Sequence, residues 1–473
     1  MKKLSFMLAF FMLAINYSFA QQAKYVFYFI GDGMGVNQVQ ATELFQAELQ
    51  NKIGIVPLKF AQFPYITMAT TYSATNGVTD SAASGTALAT GNKTKNGTLG
   101  LLKDWKTEVN SVAVWAKEAG HRVGIATSVS VDHATPAAFY AHVPKRKMYH
   151  QIGKQLYEAN FDFYAGSDFR KPVDKDDPNS ANLYNLAKEN GYTIARGYED
   201  YVAKSKTADK LILFQSEEAS KKSRSSIPYA IDRTDKDLTL EQITTSAIDF
   251  MSKDLSKGFF LMIEGGKIDW ACHSNDAATA IREVQDFDNA IKIAYNFYMQ
   301  HPDETLIVIT ADHETGGMVL GTGAYKLNLQ ALQYQKVSEE GFTDILQSLR
   351  KKHNNKVSWE MVKAQLKANF GFWGPLEVSE KQEAYLKKVY TESFKNEDVD
   401  MTKSEYADNE PVASAAKEVI SEIALIGWTS GGHSAGYVPV CAVGAGAHLF
   451  QGRLDNALLP IRIAEAAGYP INK

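Results

Sequence analysis

Short apolar runs recur along the chain, and several stop at glycine or at a side chain able to do chemistry. Residues 25–30 lead into Gly31-Asp32-Gly33, 258–263 into Glu264-Gly265-Gly266, and 306–310 into Ala311-Asp312-His313. The segment Thr429-Ser430-Gly431-Gly432-His433 precedes another apolar stretch at 437–443. These runs read as strands. Residues 107–120 and 239–255 read as helices, 122–127 and 161–165 as further strands, and 171–180 and 221–226 as polar loops. Alternation of this kind predicts an α/β fold with a large central, mostly parallel sheet flanked by helices.

In such a sheet, ligands collect beyond the carboxyl ends of the strands, so segments far apart in sequence can converge there. Ser81, in Thr79-Asp80-Ser81-Ala82-Ala83-Ser84-Gly85, opens a small-residue helix. A hydroxyl at a helix start is placed to attack or hold a phosphate, although the segment alone fits a plain N-cap as well. Asp269 and His273 are four apart, which sets both on one helical face. Taken alone they read as an exposed pair. Asp312 and His313 are adjacent and converge on one ion only if the backbone turns. Carboxylates and imidazoles gathered at strand ends form the ligand mix expected of zinc with magnesium.

With these residues in view, the chain resembles the alkaline phosphatase family. The correspondence runs through Ile30-Gly31-Asp32-Gly33-Met34-Gly35, residues 78–83, Ala134-Thr135-Pro136-Ala137, Ala141-His142-Val143 with Arg146, residues 264–273, Thr310-Ala311-Asp312-His313, and His433. The resemblance implies a phosphomonoesterase with two Zn²⁺ and one Mg²⁺, acting through a phosphoserine at Ser81. It implies Asp269, His273 and His433 at the first zinc, and Asp32, Asp312, His313 and the Ser81 oxygen at the second. Asp32, Thr135 and Glu264 would take magnesium, and Arg146 would grip the substrate phosphate. The fork of donors on Arg suits two phosphate oxygens, which Lys does not match geometrically.

Two positions depart from the better-known bacterial members, which carry Asp where His133 stands and Lys where Trp270 stands. Animal members have His at both. Loss of one negative and one positive side chain implies a missing ion pair near the phosphate. His133 and Trp270 are therefore candidates for substrate contact, with a core-filling role for Trp270 the open alternative.

Lys2 and Lys3 precede an apolar stretch at 4–15 and then Ser18-Phe19-Ala20, a pattern that predicts a signal peptide at 1–20 and a mature start near Gln21. The expected location is periplasmic or extracellular, with no transmembrane anchor. The formal charge is −4, and losing Lys2 and Lys3 takes it to −6. A mildly acidic balance without a basic run argues against a stable nucleic-acid partner. The two cysteines, Cys272 and Cys441, are expected to stay unpaired. Family members are often dimers, so a homodimer is expected.

Residues 21–473 read as one catalytic domain with an insertion at about 322–422 between His313 and His433, helical at 339–353 and 359–369. Its flanks carry ligand residues, so it should emerge as a cap or rim of the site. A sulfatase would need a Cys/Ser-x-Pro-x-Arg segment, which Ser81 lacks. A phosphodiesterase of the same superfamily, usually with Thr as nucleophile, and a non-catalytic metal- or phosphate-binding protein remain the alternatives. The expected substrates are small phosphomonoesters.

Overall fold

The computed structural model describes residues 22–323, 325–395 and 399–472. The expected signal peptide lies outside them. Ten strands form one sheet in the order Leu454–Asp455, Tyr65–Thr70, Val438–Gly444, Thr305–Thr310, Tyr25–Gly31, Phe259–Gly265, Arg122–Thr127, Phe163–Gly166, Lys210–Phe214, Tyr192–Arg196. Among the described residues of this sheet, only Val438–Gly444 runs against its neighbours. Every residue of Tyr25–Gly31 and Phe259–Gly265 is buried. Both faces of the central sheet are thus covered, which is why these strands are apolar runs rather than alternating ones. Helices Leu240–Met251 and Ala277–Gln300 pack together over central strands, and Val112–Glu118 packs on Arg122–Thr127 and Phe259–Gly265.

Several element bounds differ from the sequence expectation, each for a local reason. The helix expected at 107–120 starts only at Val112, because Ser111 caps it by accepting from the Val114 N–H. Residues before it fold back, with the Val109 N–H donating to the Gly100 carbonyl at 2.9 Å. The helix expected at 239–255 is Leu240–Met251, opened by a reciprocal cap between Thr239 and Gln242. Lys221 and Lys222, expected in a loop, end the helix Glu217–Lys222.

After the strand Thr305–Thr310 come the helices Glu339–Lys352, Trp359–Phe370, Glu380–Ser393 and Pro411–Ala424. They share a second apolar core built around Phe342, Leu346, Leu366, Phe370 and Val419. Phe45 and Ile281, from helices Val36–Leu49 and Ala277–Gln300, belong to the same core. This helical layer is therefore seated on the rest of the molecule by apolar contact. Cys272 and Cys441 are free and buried. No helix among the described residues is long and apolar enough to cross a membrane.

Candidate active site

Strand register decides where the chemistry gathers. Ile30 pairs with both Glu264 and Thr310, and Thr127 pairs with Glu264, so four neighbouring parallel strands end level. Asp32, Glu264 and Asp312 leave this one edge together. Val438–Gly444 is antiparallel, so its beginning lies at the same edge, and His433 just upstream arrives there too. The turn after Asp32 needs glycine. Gly33 has φ +70°, and a Cβ on it would meet the Asp269 backbone at 2.8 Å. Its N–H donates to Asp312 Oδ1 at 3.1 Å.

Ser81 is the first residue of the helix Ser81–Thr90, but it does not cap it. Asp80 takes that role, accepting from the Ala83 N–H at 3.0 Å. The Ser81 hydroxyl is left available at the positive end of the helix, fully buried. His313 Nε2 lies 3.2 Å from Ser81 Oγ and Arg146 Nη1 lies 3.5 Å from it. Asp80 also holds that guanidinium, at 3.1 Å.

The ligand candidates form three groups: Asp269 with His273 and His433, Asp32 with Asp312 and His313, and Asp32 with His133 and Glu264. Asp269 and His273 sit on one face of the helix Lys267–His273, 3.3 Å apart, and His433 Nε2 is 3.1 Å from His273 Nε2. The Asp312–His313 turn brings His313 Nε2 to 3.2 Å from its neighbour's carboxylate. Both oxygens of Asp32, Oε1 of Glu264 and Oδ2 of Asp269 are buried without a hydrogen-bond partner among the described residues. Burial, then the charge of Asp269, lifts Asp312 to about 7; burial, with Asp312 adding to it, lifts Glu264 to about 8. Burial opposes a charge on His273, yet Asp269 beside it prevails and raises it to about 9. Anionic oxygens crowded together without partners are what bound cations would satisfy, and the oxygen and imidazole donors suit zinc and magnesium.

The third group differs from expectation in one respect. Thr135 sits at the start of the short helix Ala134–Ala137, beside Glu264, but His133 also converges with Asp32 and Glu264. His133 Nε2 is 3.2 Å from Arg146 Nη2. The ring of His133 meets that of Trp270 edge-on, with centroids 6.1 Å apart. An aromatic contact thus occupies the place where the resemblance would put an ion pair.

Four participants escape sequence reasoning. Thr315 donates to Asp269 Oδ1 at 2.5 Å and lies 3.1 Å from His313 Nδ1, so it orients ligand candidates of two groups. The hydroxyl of Thr127 donates to Glu264. Asp80 fixes Arg146. Tyr406, from the helical layer, stacks on Trp270 with centroids 4.3 Å apart and planes within 8°. Asp80 beside Ser81 was the one readable signal.

A family model described as alkaline phosphatase matches residues 23–165 and 174–469. Alkaline phosphatase 3 of Bacillus subtilis (strain 168) is 30% identical over 465 residues, covering 95% of this chain and 90% of that protein. The solved structure of a cold-active alkaline phosphatase from the psychrophile Shewanella sp. matches with a TM-score of 0.78 at 30% identity, covering 94% of this chain and 99% of that one. The alkaline phosphatase of Thermus thermophilus matches in fold with a TM-score of 0.76 at 24% identity, covering 95% and 92%.

Proposed function

The chain belongs to the alkaline phosphatase family and is an alkaline phosphatase enzyme; from that premise we propose that it is an exported phosphomonoesterase using a phosphoserine at Ser81. Two Zn²⁺ and one Mg²⁺ complete it. Asp269, His273 and His433 hold the first zinc, and Asp32, Asp312, His313 and Ser81 Oγ the second. Asp32, Thr135 and Glu264 hold magnesium, with His133 beside them. Bound metals supply the positive charge that favours the serine alkoxide and stabilises the entering and leaving oxygens of an in-line displacement.

The chain's own residues define the rest. Ser81 Oγ attacks phosphorus, the bond from phosphorus to the ester oxygen breaks, and the alcohol departs. Arg146, held by Asp80, binds two non-bridging oxygens through its fork. Water then displaces Ser81 from phosphorus, and two in-line displacements return the original configuration. Thr315, Thr127 and the Asp80 cap keep ligands and nucleophile in place throughout.

The observation that carries this reading is the buried Ser81 hydroxyl, freed by Asp80 and approached by Arg146 and His313. Its test is metal analysis of purified protein together with turnover of nitrophenyl phosphate and of bis-nitrophenyl phosphate. Zinc and magnesium with strong preference for the monoester is expected. Preference for the diester would favour a phosphodiesterase, and metal without turnover a binding protein. Export rests on residues 1–20 and predicts a mature amino terminus near Gln21. The helical layer at about 322–422 is proposed as a rim of the catalytic domain, and the enzyme as a homodimer. Replacing that layer with a short linker should alter the ranking of large phosphoesters more than it alters a small aryl phosphate.

A further inference from the structure

Glu314 follows the candidate ligands Asp312 and His313, is buried, and takes no part in the displacement at Ser81. Its two oxygens accept only from neutral donors. Oε1 accepts from the Gln38 side-chain amide at 2.7 Å and from the Gly317 N–H at 3.0 Å. Oε2 accepts from the same N–H at 3.2 Å and from the hydroxyl of Ser434. A carboxylate out of water is costly unless such bonds meet it, so Glu314 and its donors hold one another in place.

Each donor belongs to a segment that carries or adjoins a candidate ligand. Gln38 lies in the first turn of the helix Val36–Leu49, shortly after Asp32, and its Nε2 is also 3.9 Å from the Sγ of Cys272, next to His273. Gly317 lies just past the strand Glu314–Thr315 that follows His313. Ser434 is the residue after His433. Gly35 and Gly436 let two of these segments close in: a Cβ on Gly35 would overlap the Glu314 side chain, and one on Gly436 would stand 3.2 Å from the Glu314 Cβ.

The tie to Ser434 matters most, because little else holds the backbone there. Thr429, Ser430 and Gly431 are exposed, and glycine stands at 431, 432 and 436. The strand His433–Ser434 has two residues, pairing His433 with Thr315 and Ser434 with Glu314. The His433 ring is oriented separately, with Nδ1 2.8 Å from the Thr79 carbonyl oxygen and Nε2 3.7 Å from Asp269. A shift of the strand would carry the ring away from Asp269 and His273.

We propose that Glu314 is a positioning residue for His433: through the Ser434 hydroxyl it pins a glycine-flanked segment and so completes the group Asp269, His273 and His433. This rests on the metal reading of the site. Thr315 and Thr127 act on ligand side chains directly, whereas Glu314 acts on the backbone that delivers one.

The test is zinc affinity, read by competition with a chelator, in Ser434→Ala, Glu314→Ala and the two together. Ser434→Ala should weaken one zinc equivalent about tenfold and leave the other as in the wild type. The same change should add nothing in Glu314→Ala, because both act through one bond, and nothing in His433→Ala, which lacks the ligand being positioned. In the metal-free protein, the Gly316 N–H donates to the Gly432 carbonyl at 2.9 Å beside the short ladder, and it should exchange with solvent about tenfold faster in Ser434→Ala. A wild type that binds no zinc would defeat the metal reading, and the exchange rate would then decide on the pinning by itself. In a wild type that binds zinc, unchanged zinc affinity in Ser434→Ala would overturn the proposal whatever the exchange rate. Equal weakening of both zinc equivalents, or a Ser434→Ala effect undiminished in Glu314→Ala, would overturn it too.

Discussion

Two sets of buried charges in this protein are treated in opposite ways. In the helical layer, Glu410 and Arg350 are both nearly inaccessible, yet they close on each other in a two-pronged pair, and the guanidinium lies over Phe394 at 3.6 Å. Under the sheet's covering helices, Arg233 and Asp286 do the same at 2.8 and 2.6 Å. At the candidate site, by contrast, Asp32, Glu264 and Asp269 keep buried oxygens with no hydrogen-bond partner among the described residues, and only imidazoles stand near those of Asp32 and Asp269. Taking a carboxylate out of water costs several kcal/mol unless an opposite charge meets it. The first sets are neutralised within the chain. The last is completed only by something that binds, which marks it as functional rather than structural.

The largest effect should come from removing what completes it. Chelation should reduce monoester turnover to background, and zinc with magnesium should restore it; persistence of full activity in protein verified to be metal-free would break the contrast. Next, Glu410→Gln should destabilise the fold by about 3–5 kcal/mol, since it strands Arg350, while leaving metal content unchanged. Denaturant unfolding checks this, and a loss smaller than about 1 kcal/mol would contradict the view of that pair as internally closed.

Asp32→Asn should do the reverse. Metal binding should fail, but the metal-free protein should become more stable near neutral pH, because burial and then Asp312 raise the pKa of Asp32 well above the ordinary value. A less stable metal-free variant would refute that account.

A smaller effect concerns pH in the metal-free protein. Asp312 at about 7, Glu264 at about 8 and His273 at about 9 all have folded pKa values above their unfolded ones. The folded state then binds more protons than the unfolded state, so stability falls as pH rises from about 6.5 to 9. Tm measured across that range with chelator present should decline, and with zinc and magnesium present it should decline less. The smallest effect expected is a few-fold tightening of inhibition by inorganic phosphate in His133→Asp with Trp270→Lys, exceeding that of either single change. Unchanged inhibition in a folded, metal-loaded double variant would show that these positions do not tune product binding.

The open set of charges was legible in the sequence because its members stand next to signals of backbone shape. An apolar run that stops at a carboxylate marks a strand end, with glycine beside it at Asp32 and Glu264 and with Ala311 between the run and Asp312. The spacing of Asp269 and His273 fixes a helical face without any tertiary information. Thr315 and Thr127 were not legible, because an isolated threonine gives no hint of the carboxylate it will meet. Tyr406 was hidden for a further reason: it arrives on a hairpin with two residues per strand, too short to leave an apolar pattern. Helix Ala277–Gln300 escaped because its buried face carries Thr279, Glu283, Asp286 and Asp288 among the apolar residues. Its apolar stripe is therefore broken.

The central claim is that the open cluster serves a covalent step at Ser81. Its most direct measurement is acid quenching of the metal-loaded enzyme during turnover of a radiolabelled phosphomonoester, followed by mapping of the labelled peptide. The account predicts phosphate on Ser81 in the wild type and none in Ser81→Ala with metal content retained. Label on another residue, or wild-type turnover with no trapped phosphoprotein and inversion at a chiral phosphorus, would contradict it.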